Sequence, residues 1–281
     1  MKRFLIAIFA GLLVMFSCTG NKSGQSNEVA EDSLVADSTE MVEPTDTMEL
    51  LITQTPMPRA ADAMFDDFLF NFLANKKLQK ERIVFPLRIT EGDKIDQVEK
   101  KDWKMEHLFM RQGYYTLLFN DDKQMALMKD TAVSEATVEK IMLKKGRVDA
   151  YHFLRIKGAW MLTDVKKTPL SENADASFLT FYKRFVTDSV FQVQSLNETV
   201  EFVGPDPDDE YNMMEGVITA DTWEAFAPTL PSKSIYNIIY GKPEAEGNAK
   251  IFLLRGVANG MEMELCFKKV KGKWLLMKMT T

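Results

Sequence analysis

Tyr151-His-Phe-Leu-Arg-Ile-Lys-Gly-Ala-Trp-Met-Leu162 returns near the C-terminus as Leu265-Cys-Phe-Lys-Lys-Val-Lys-Gly-Lys-Trp-Leu-Leu276. The Phe, the Lys-Gly pair and the Trp keep the same spacing in both copies. Apolar residues alternate on either side of each Lys-Gly pair, and glycine readily adopts the positive φ that a tight hairpin turn requires. Each copy therefore predicts a β-hairpin whose tryptophan fills a core.

The duplication extends beyond the hairpins. Two aromatic triplets at helical spacing lie 113 residues apart: Phe65, Phe68 and Phe72, then Phe178, Phe181 and Phe185. This spacing places three rings on one face of an amphipathic helix, and Asp62 is the expected N-cap of the first helix. Further landmarks follow in the same order in both copies: Leu78-Gln79 and Phe191-Gln192, Trp103 and Trp223, Tyr115 and Tyr236, Trp160 and Trp274. The order indicates an internal duplication.

Each copy continues from its helix into a run of extended segments. The first copy has them near 83–89, 114–119 and 137–144, and the second near 199–203, 235–240 and 249–257, each ahead of its hairpin. A helix followed by successive antiparallel strands predicts an α+β fold with helices on one face of a sheet. Pro169 and its polar neighbours mark the boundary, so we divide the folded part into repeat one, 59–168, and repeat two, 169–281.

The N-terminal segment predicts a cell-envelope address. Lys2 and Arg3 precede an apolar run that is shorter than the ~20 residues of a transmembrane helix, which is typical of a secretory signal peptide over 1–17. The run ends at Cys18 and turns polar at once, which resembles the lipobox of bacterial lipoproteins, although Met15 and Phe16 differ from the usual residues. In that motif the cysteine is diacylated and becomes the mature N-terminus. Cys18 is therefore the expected lipid-attachment residue, and two acyl chains anchor a protein stably without a span.

Residues 18–58 read as an acidic tether. The segment contains eight Asp or Glu side chains against one Lys and almost no aromatic residue, so it cannot bury enough surface to offset its ordering entropy. Ser33, Ser38 and Thr47 each follow an Asp and resemble the acceptors of the general O-glycosylation system of Bacteroides-type bacteria; coincidence in a hydroxyl-rich linker is the alternative. Because no acidic run directly follows Cys18, we expect an outer-membrane anchor that faces the periplasm.

Units of about 110 residues that pass from a helix to a curved sheet and end in a Gly-x-Trp hairpin resemble the superfamily of nuclear transport factor two and ketosteroid isomerase, a cystatin-like fold. A tandem of them behind a lipoprotein signal is similar to a domain-of-unknown-function family of Bacteroides-type lipoproteins. The resemblance covers about 60–281 and rests on the aromatic spacing and the hairpins. It implies the fold and an envelope location, but it assigns no catalytic residue and no cofactor.

An acid–base pair in a concave pocket is the chemistry that a ketosteroid-isomerase type of enzyme requires. Asp149 and Tyr151 share one face of the predicted strand over 148–153 and are the nearest such pair. The alternative is an ordinary solvated carboxylate beside the turn at Gly146. His152 and Cys266 occupy equivalent positions in the two copies, so a packing of the two sheets could bring an imidazole and a thiol together.

Metal binding is not expected at either place. One His and one Cys supply half of the ligands of a zinc site, and a lone buried cysteine behaves mostly as a small hydrophobe. Carboxylates cluster over 204–210 and would suit a hard cation, but this segment lacks the ligand spacing and turn glycine of an EF-hand loop. We expect a solvated loop there, no metal and no cofactor.

The sequence leaves several functions open. The intact aromatic framework without paired catalytic residues favours a non-enzymatic, lipid-anchored envelope protein that acts as a binding or scaffolding module. Its partner would be a small apolar ligand or an envelope protein, held in the concave apolar pocket of a repeat or between the repeats. The folded part is nearly neutral, so no basic footprint for nucleic acid is indicated.

The alternatives differ in what they require of the two pockets. A small envelope isomerase or hydrolase would need one open, polar-floored pocket and one that is filled. A structural spacer would have both pockets plugged by Met and Phe.

Overall fold

The computed structural model describes residues 62–206 and 209–281, without the side chains of 210 and 211. The predicted signal peptide, the tether with Cys18, Ser33, Ser38 and Thr47, and Asp208 of the carboxylate cluster lie outside the described residues. Across the part of the chain that is described, no helix is long and apolar enough to cross a membrane.

The helices are short, and the two that open each half of the chain occupy equivalent places. They are α1 (Phe65–Ala74), α2 (Lys76–Glu81), α3 (Asp122–Ala126), α4 (Ala176–Phe185), α5 (Ser189–Gln194) and α6 (Trp223–Phe226). The long helices α1 and α4 carry the two aromatic triplets on their buried faces, which confirms the helices predicted from the spacing.

Twelve strands are described, in two sheets of six. In the first half they are β1 (Ile83–Glu91), β2 (Lys94–Val98), β3 (Tyr114–Phe119), β4 (Glu135–Met142), β5 (Arg147–Ile156) and β6 (Ala159–Pro169). In the second half they are β7 (Leu196–Asp206), β8 (Asp209–Ile218), β9 (Ile235–Tyr240), β10 (Ala249–Gly256), β11 (Glu262–Val270) and β12 (Lys273–Thr280). Sheet A has the order β2-β1-β6-β5-β4-β9, and sheet B has the order β3-β10-β11-β12-β7-β8.

The two halves exchange one strand. β9 comes from the second half but pairs with β4 at the end of sheet A, and β3 comes from the first half but pairs with β10 at the end of sheet B. Both strands match the extended segments predicted at 114–119 and 235–240, yet nothing in their own alternation says which sheet each joins. Each sheet is thus completed by the other sequence repeat.

One pair of neighbours in each sheet is parallel rather than antiparallel. These pairs are β1 with β6 and β7 with β12. The second strand of each hairpin, β6 or β12, therefore lies beside the first strand after the helices, β1 or β7. This pairing brings the start and the end of each half together. The remaining pairs are antiparallel, so the α+β class predicted from the sequence is confirmed.

The same aromatic cluster forms twice under the helices. The ring centroids of Phe65 and Trp160 are 4.9 Å apart in the first half, and those of Phe178 and Trp274 are 5.3 Å apart in the second. All four side chains are buried. Burying one such side chain contributes roughly 1.5–3 kcal/mol. The Trp therefore fills the core beneath the first Phe of each triplet.

The hairpin turns have the expected geometry with one addition. Gly158 and Gly272 have φ angles of 84° and 80°, and the preceding Lys157 and Lys271 are also positive, at 52° and 49°. Two consecutive positive φ angles define the type I′ turn that suits the right-handed twist of a β-hairpin. The lysines are strained by this conformation, whereas the glycines are not.

Some local expectations were wrong. Asp62 does not cap α1, whose N-cap is Met64 without a side-chain hydrogen bond. The Asp62 carboxylate instead accepts hydrogen bonds from both terminal nitrogens of Arg82, at 2.8 and 2.9 Å, because the chain before α1 turns toward the hairpin. The acidic segment over 204–210 is not simply a loop, since β7 continues to Asp206 and β8 begins at Asp209.

Candidate functional site

The exchanged strands β3 and β9 lie against each other, and their buried polar side chains join the two sheets. Thr116 donates from its hydroxyl to the carbonyl of Tyr236 at 2.6 Å and accepts from its N–H at 2.8 Å. Asn237, at the equivalent position of the other repeat, accepts at its Oδ1 from the N–H of Leu118 at 2.9 Å. These bonds satisfy backbone groups that neither strand pairs within its own sheet.

A small cavity of about 40 Å³ lies beside this junction. Glu139 on β4 borders it and accepts hydrogen bonds from the Nδ2 atoms of Asn173 at 2.7 Å and Asn237 at 3.1 Å. Lys250 on β10 borders it too, donating to Oδ1 of Asn120 at 2.6 Å and to a carboxylate oxygen of Asp175. Glu139 and Lys250 are both buried, and each is held by polar partners.

Burial raises the pKa of Glu139, and the charge of Asp175 adds to this effect, while the two amide hydrogen bonds and Lys250 oppose it. The network draws side chains from both repeats, but its two buried charged residues have no charged counterparts at the equivalent positions. In the aligned register of the hairpin partners, Leu253 stands where β4 has Glu139, and Ala136 stands where β10 has Lys250. A comparison of the two repeats shows a charged residue at only one of two equivalent core positions. This difference could have identified the network from the sequence, but the sequence analysis missed it.

The cavity is too small for an organic substrate. Pockets that bind small molecules have about 300–1,000 Å³, whereas one water requires about 10–15 Å³ of such space. A volume of about 40 Å³ therefore holds a few water molecules. The geometry therefore provides no room for a carbon skeleton beside the Glu139 carboxyl.

Asp149 and Tyr151, the acid–base pair proposed from the sequence, have separate partners. Asp149 is buried and forms an ion pair with Arg147, with 3.0 Å between Nε and Oδ1. Tyr151 is buried and donates from its hydroxyl to Glu106 at 3.0 Å. Burial, followed by the charge of Glu106, raises the pKa of Tyr151 well above its ordinary value. A buried tyrosine that donates to a carboxylate is a structural partner rather than a proton source at neutral pH.

His152 and Cys266 are likewise held by neighbours on their own strands or sheets. Nδ1 of His152 lies 3.0 Å from the hydroxyl of Thr137, and Sγ of Cys266 lies 3.3 Å from Oε1 of Glu264. Burial and the Glu264 carboxylate raise the pKa of Cys266 to about 12, so the thiol stays protonated. Within residues 62–206 and 209–281, no group of three or more His, Cys, Asp or Glu side chains is arranged to hold a metal ion.

The interiors between helices and sheets are filled by aromatic rings. Phe153 lies 5.3 to 5.9 Å, between centroids, from the three rings of the first triplet, and Phe267 lies 5.3 to 5.6 Å from the three rings of the second. Phe109 and Tyr115 stack at 5.1 Å in the first half, and Tyr182 and Phe252 stack at 4.8 Å in the second. The concave face that forms a pocket in related folds is therefore occupied by side chains in both halves.

A glutamine–tryptophan hydrogen bond marks the same place in both halves. Nε1 of Trp103 donates to Oε1 of Gln79 at 3.0 Å, and Nε1 of Trp223 donates to Oε1 of Gln192 at 3.0 Å. The comparison of the repeats had matched Gln79 with Gln192 and Trp103 with Trp223 by position. The structure gives the reason, since each glutamine satisfies the indole of a buried or half-buried tryptophan.

Comparison with known proteins identifies a family and a similar solved structure. The profile of a family described as a domain of unknown function, DUF4348, matches residues 44–281. The crystal structure of an NTF2-like protein from Bacteroides fragilis NCTC 9343 is 39% identical, with a TM-score of 0.71 over 80% of this chain and 98% of that one. A comparison with curated proteins finds no match. These findings confirm the resemblance and the fold predicted from the repeats.

Proposed function

We propose that this chain, which belongs to the DUF4348 family and has the NTF2-like fold, is a non-enzymatic, lipid-anchored envelope protein that binds other proteins through its surface. The observation that carries the proposal is the filled interior of both halves. Because aromatic rings occupy the concave faces and the cavity at the junction has about 40 Å³, a partner must be recognised from outside.

The anchoring part of the proposal rests on the sequence. Cys18, at the end of a signal-like run, is the residue that would carry the acyl chains, and the acidic composition of 19–58 is that of a linker between an anchor and a folded part. An acidic linker of this composition suits a protein that is anchored to the outer membrane and meets its partners on the side that faces the periplasm.

The competing function, an envelope isomerase or hydrolase, has one observation in its favour. Glu139 is a buried carboxyl with a raised pKa, and it is found in one repeat only, as the asymmetry of an enzyme would require. General-base catalysis also needs substrate within hydrogen-bond reach of the base. Asn173 and Asn237 already occupy both oxygens of Glu139, and the cavity beside them is water-sized. We therefore assign Glu139 a structural role.

The proposal is tested in cells with a photo-crosslinking amino acid at single exposed positions. Three exposed apolar side chains on different surfaces are suitable: Ile95 on β2, Val190 on α5 and Met213 on β8. Lys144, exposed in a charged turn, is the matched control. We expect a discrete crosslinked protein adduct from at least one of the three and none from the control.

Two further measurements separate the parts of the proposal. Native mass spectrometry of protein extracted from the envelope should show no stoichiometric small molecule. A retained ligand, or the absence of adducts at all three positions, contradicts binding through the surface. Cys18→Ala should move the protein from the membrane fraction to the soluble fraction, and an unchanged distribution contradicts the lipid anchor.

A further inference from the structure

The strand β8 is a long edge of sheet B. Among the strands described, it pairs with β7 only, so one side of its ten residues faces outward. Ten residues of extended chain span about 33 Å. Natural proteins usually protect such edges with lysine, proline or short strands. β8 contains neither lysine nor proline, and its charged residues are all acidic, so the edge disfavours an anionic strand but admits a cationic one.

Apolar side chains stand on both faces of this edge. Val217 is 64% exposed and Met213 is 53% exposed, and their spacing places them on the same face. Met214, on the opposite face, is also exposed. The exposed Phe226 extends the second face, because its ring lies 5.3 Å from that of Phe202, which pairs with Gly216 of β8. An added strand would therefore find apolar neighbours above and below the sheet.

The chain segment that forms the edge is acidic, although Lys278 of β12 is the register partner of Glu201 on β7. Between Arg184 and Lys233 the chain contains no Lys or Arg, but it contains ten acidic residues: Asp188, Glu198, Glu201, Asp206, Asp208, Asp209, Glu210, Glu215, Asp221 and Glu224. Glu201 and Glu215 are exposed on β7 and β8 themselves. Such a field attracts a cationic segment and repels an anionic one.

We propose that β8 binds an extended, basic segment of a partner protein, which adds to sheet B as a seventh strand. Main-chain hydrogen bonds to the free side of β8 would supply affinity, while alternating Lys or Arg and apolar residues would place the cations on the face of Glu215 and the apolar side chains on the face of Met214 and Phe226. This inference rests on the proposed function and names the surface and the chemistry of the partner.

Charge argues against the two other occupants of the edge. A second copy paired through β8 would bring two strongly acidic hairpins together, and like charges across strands are destabilising. The chain's own tether, residues 19–58, has eight acids against one lysine and would be repelled in the same way. A basic partner is the occupant that the surface complements.

The test uses a labelled peptide of ten residues in which lysine alternates with valine, added to the full chain. Binding is measured by fluorescence anisotropy, and the site is located by hydrogen exchange. We expect saturable binding and slower exchange of the amides over 209–218. Two control peptides are needed: one with glutamate in place of lysine, and one with two valines replaced by proline, which keeps the charge but prevents strand pairing.

Matched variants locate the effect on β8. The double variant Glu201→Lys, Glu215→Lys should weaken binding roughly tenfold, while Asp93→Lys, Asp96→Lys on the hairpin of β1 and β2 should leave it unchanged. Equal binding of the proline peptide, protection of β2 instead of β8, or no binding overturns the proposal. So does a dimer of the free protein held through β8, or exchange protection of β8 by the tether before peptide is added. If crosslinked adducts form elsewhere in cells while the peptide fails, the docking surface is wrong and the proposed function stands.

Discussion

Replacing Phe153 with alanine should unfold both halves of the protein together, because the halves exchange β3 and β9. The Phe153 ring is buried and touches all three rings of the first helical triplet. Truncation of such a ring to alanine costs about 3–5 kcal/mol, from lost burial and from the cavity that is left. Phe267→Ala is the matched change in the other half, since Phe267 has the same three neighbours there.

The exchange makes the effect global. The first half cannot unfold without removing β3 from sheet B, and it also deprives β9 of its partner β4 in sheet A. Removing β3 takes Leu118 out of the core of the second half, and removing β9 takes Ile238 out of the core of the first half. Each half therefore loses part of its own core when the other unfolds, and we expect a single cooperative transition.

Hydrogen exchange with mass spectrometry at increasing urea concentrations measures both halves in one sample. The reporting peptides are those of β5 in sheet A and β11 in sheet B. If the free energy of unfolding falls by about 2.5–3 kcal/mol per molar urea, a destabilisation of about 3–5 kcal/mol lowers the urea concentration at the unfolding midpoint by roughly 1–2 M. Both peptides should shift by this amount in Phe153→Ala and again in Phe267→Ala. A shift confined to the mutated half would refute the coupling.

Three further outcomes are expected. Asn237→Leu leaves the N–H of Leu118 and one oxygen of Glu139 without a partner, so the free energy of unfolding measured by urea titration should fall by about 2–6 kcal/mol. A fall of less than about 1 kcal/mol contradicts the role of Asn237 in joining the two sheets. Because the folded state raises the pKa of Glu139 above its ordinary 4.5, protonation favours the fold, and the free energy of unfolding should fall as pH rises from 4.5 through the raised value. Glu139→Gln should remove this slope, and an unchanged pH profile assigns it to another group. Cys266, whose pKa is raised to about 12, should react with iodoacetamide at pH 8 roughly 100-fold more slowly in the folded chain than in urea, and equal rates contradict its protonated state.

Much of the local structure could be predicted because it depends on short-range pattern. The triplets Phe65 to Phe72 and Phe178 to Phe185 have helical spacing, and the Lys-Gly turns demand positive φ, so helices and hairpins follow from neighbours in the chain. The strands over 114–119 and 235–240 have the predicted bounds. The edge strands β2 and β8 were missed, since exposed strands lack the apolar alternation on which the prediction depended.

The candidate site could be predicted less well. Asp149 and Tyr151 do share a strand, but their partners, Arg147 and Glu106, come from packing that no spacing rule contains. Glu139 escaped attention because an acidic residue in a strand reads as solvent-facing. Glu139 is buried in the folded protein, where Asn237 from the other half of the chain donates a hydrogen bond to it.

The sequence by itself determined that the chain is a duplicated α+β protein, where its two long helices and most of its strands lie, and that its N-terminal segment resembles a lipoprotein signal. These properties follow from local periodicity and from the order of the aromatic residues that the two repeats share. Only the tertiary structure decided that β3 joins sheet B and β9 joins sheet A, that the concave faces are filled, and that β8 is an edge strand among the strands described. A strand's alternation specifies which faces are apolar, but its hydrogen-bonding partner is chosen by the packing of the whole molecule.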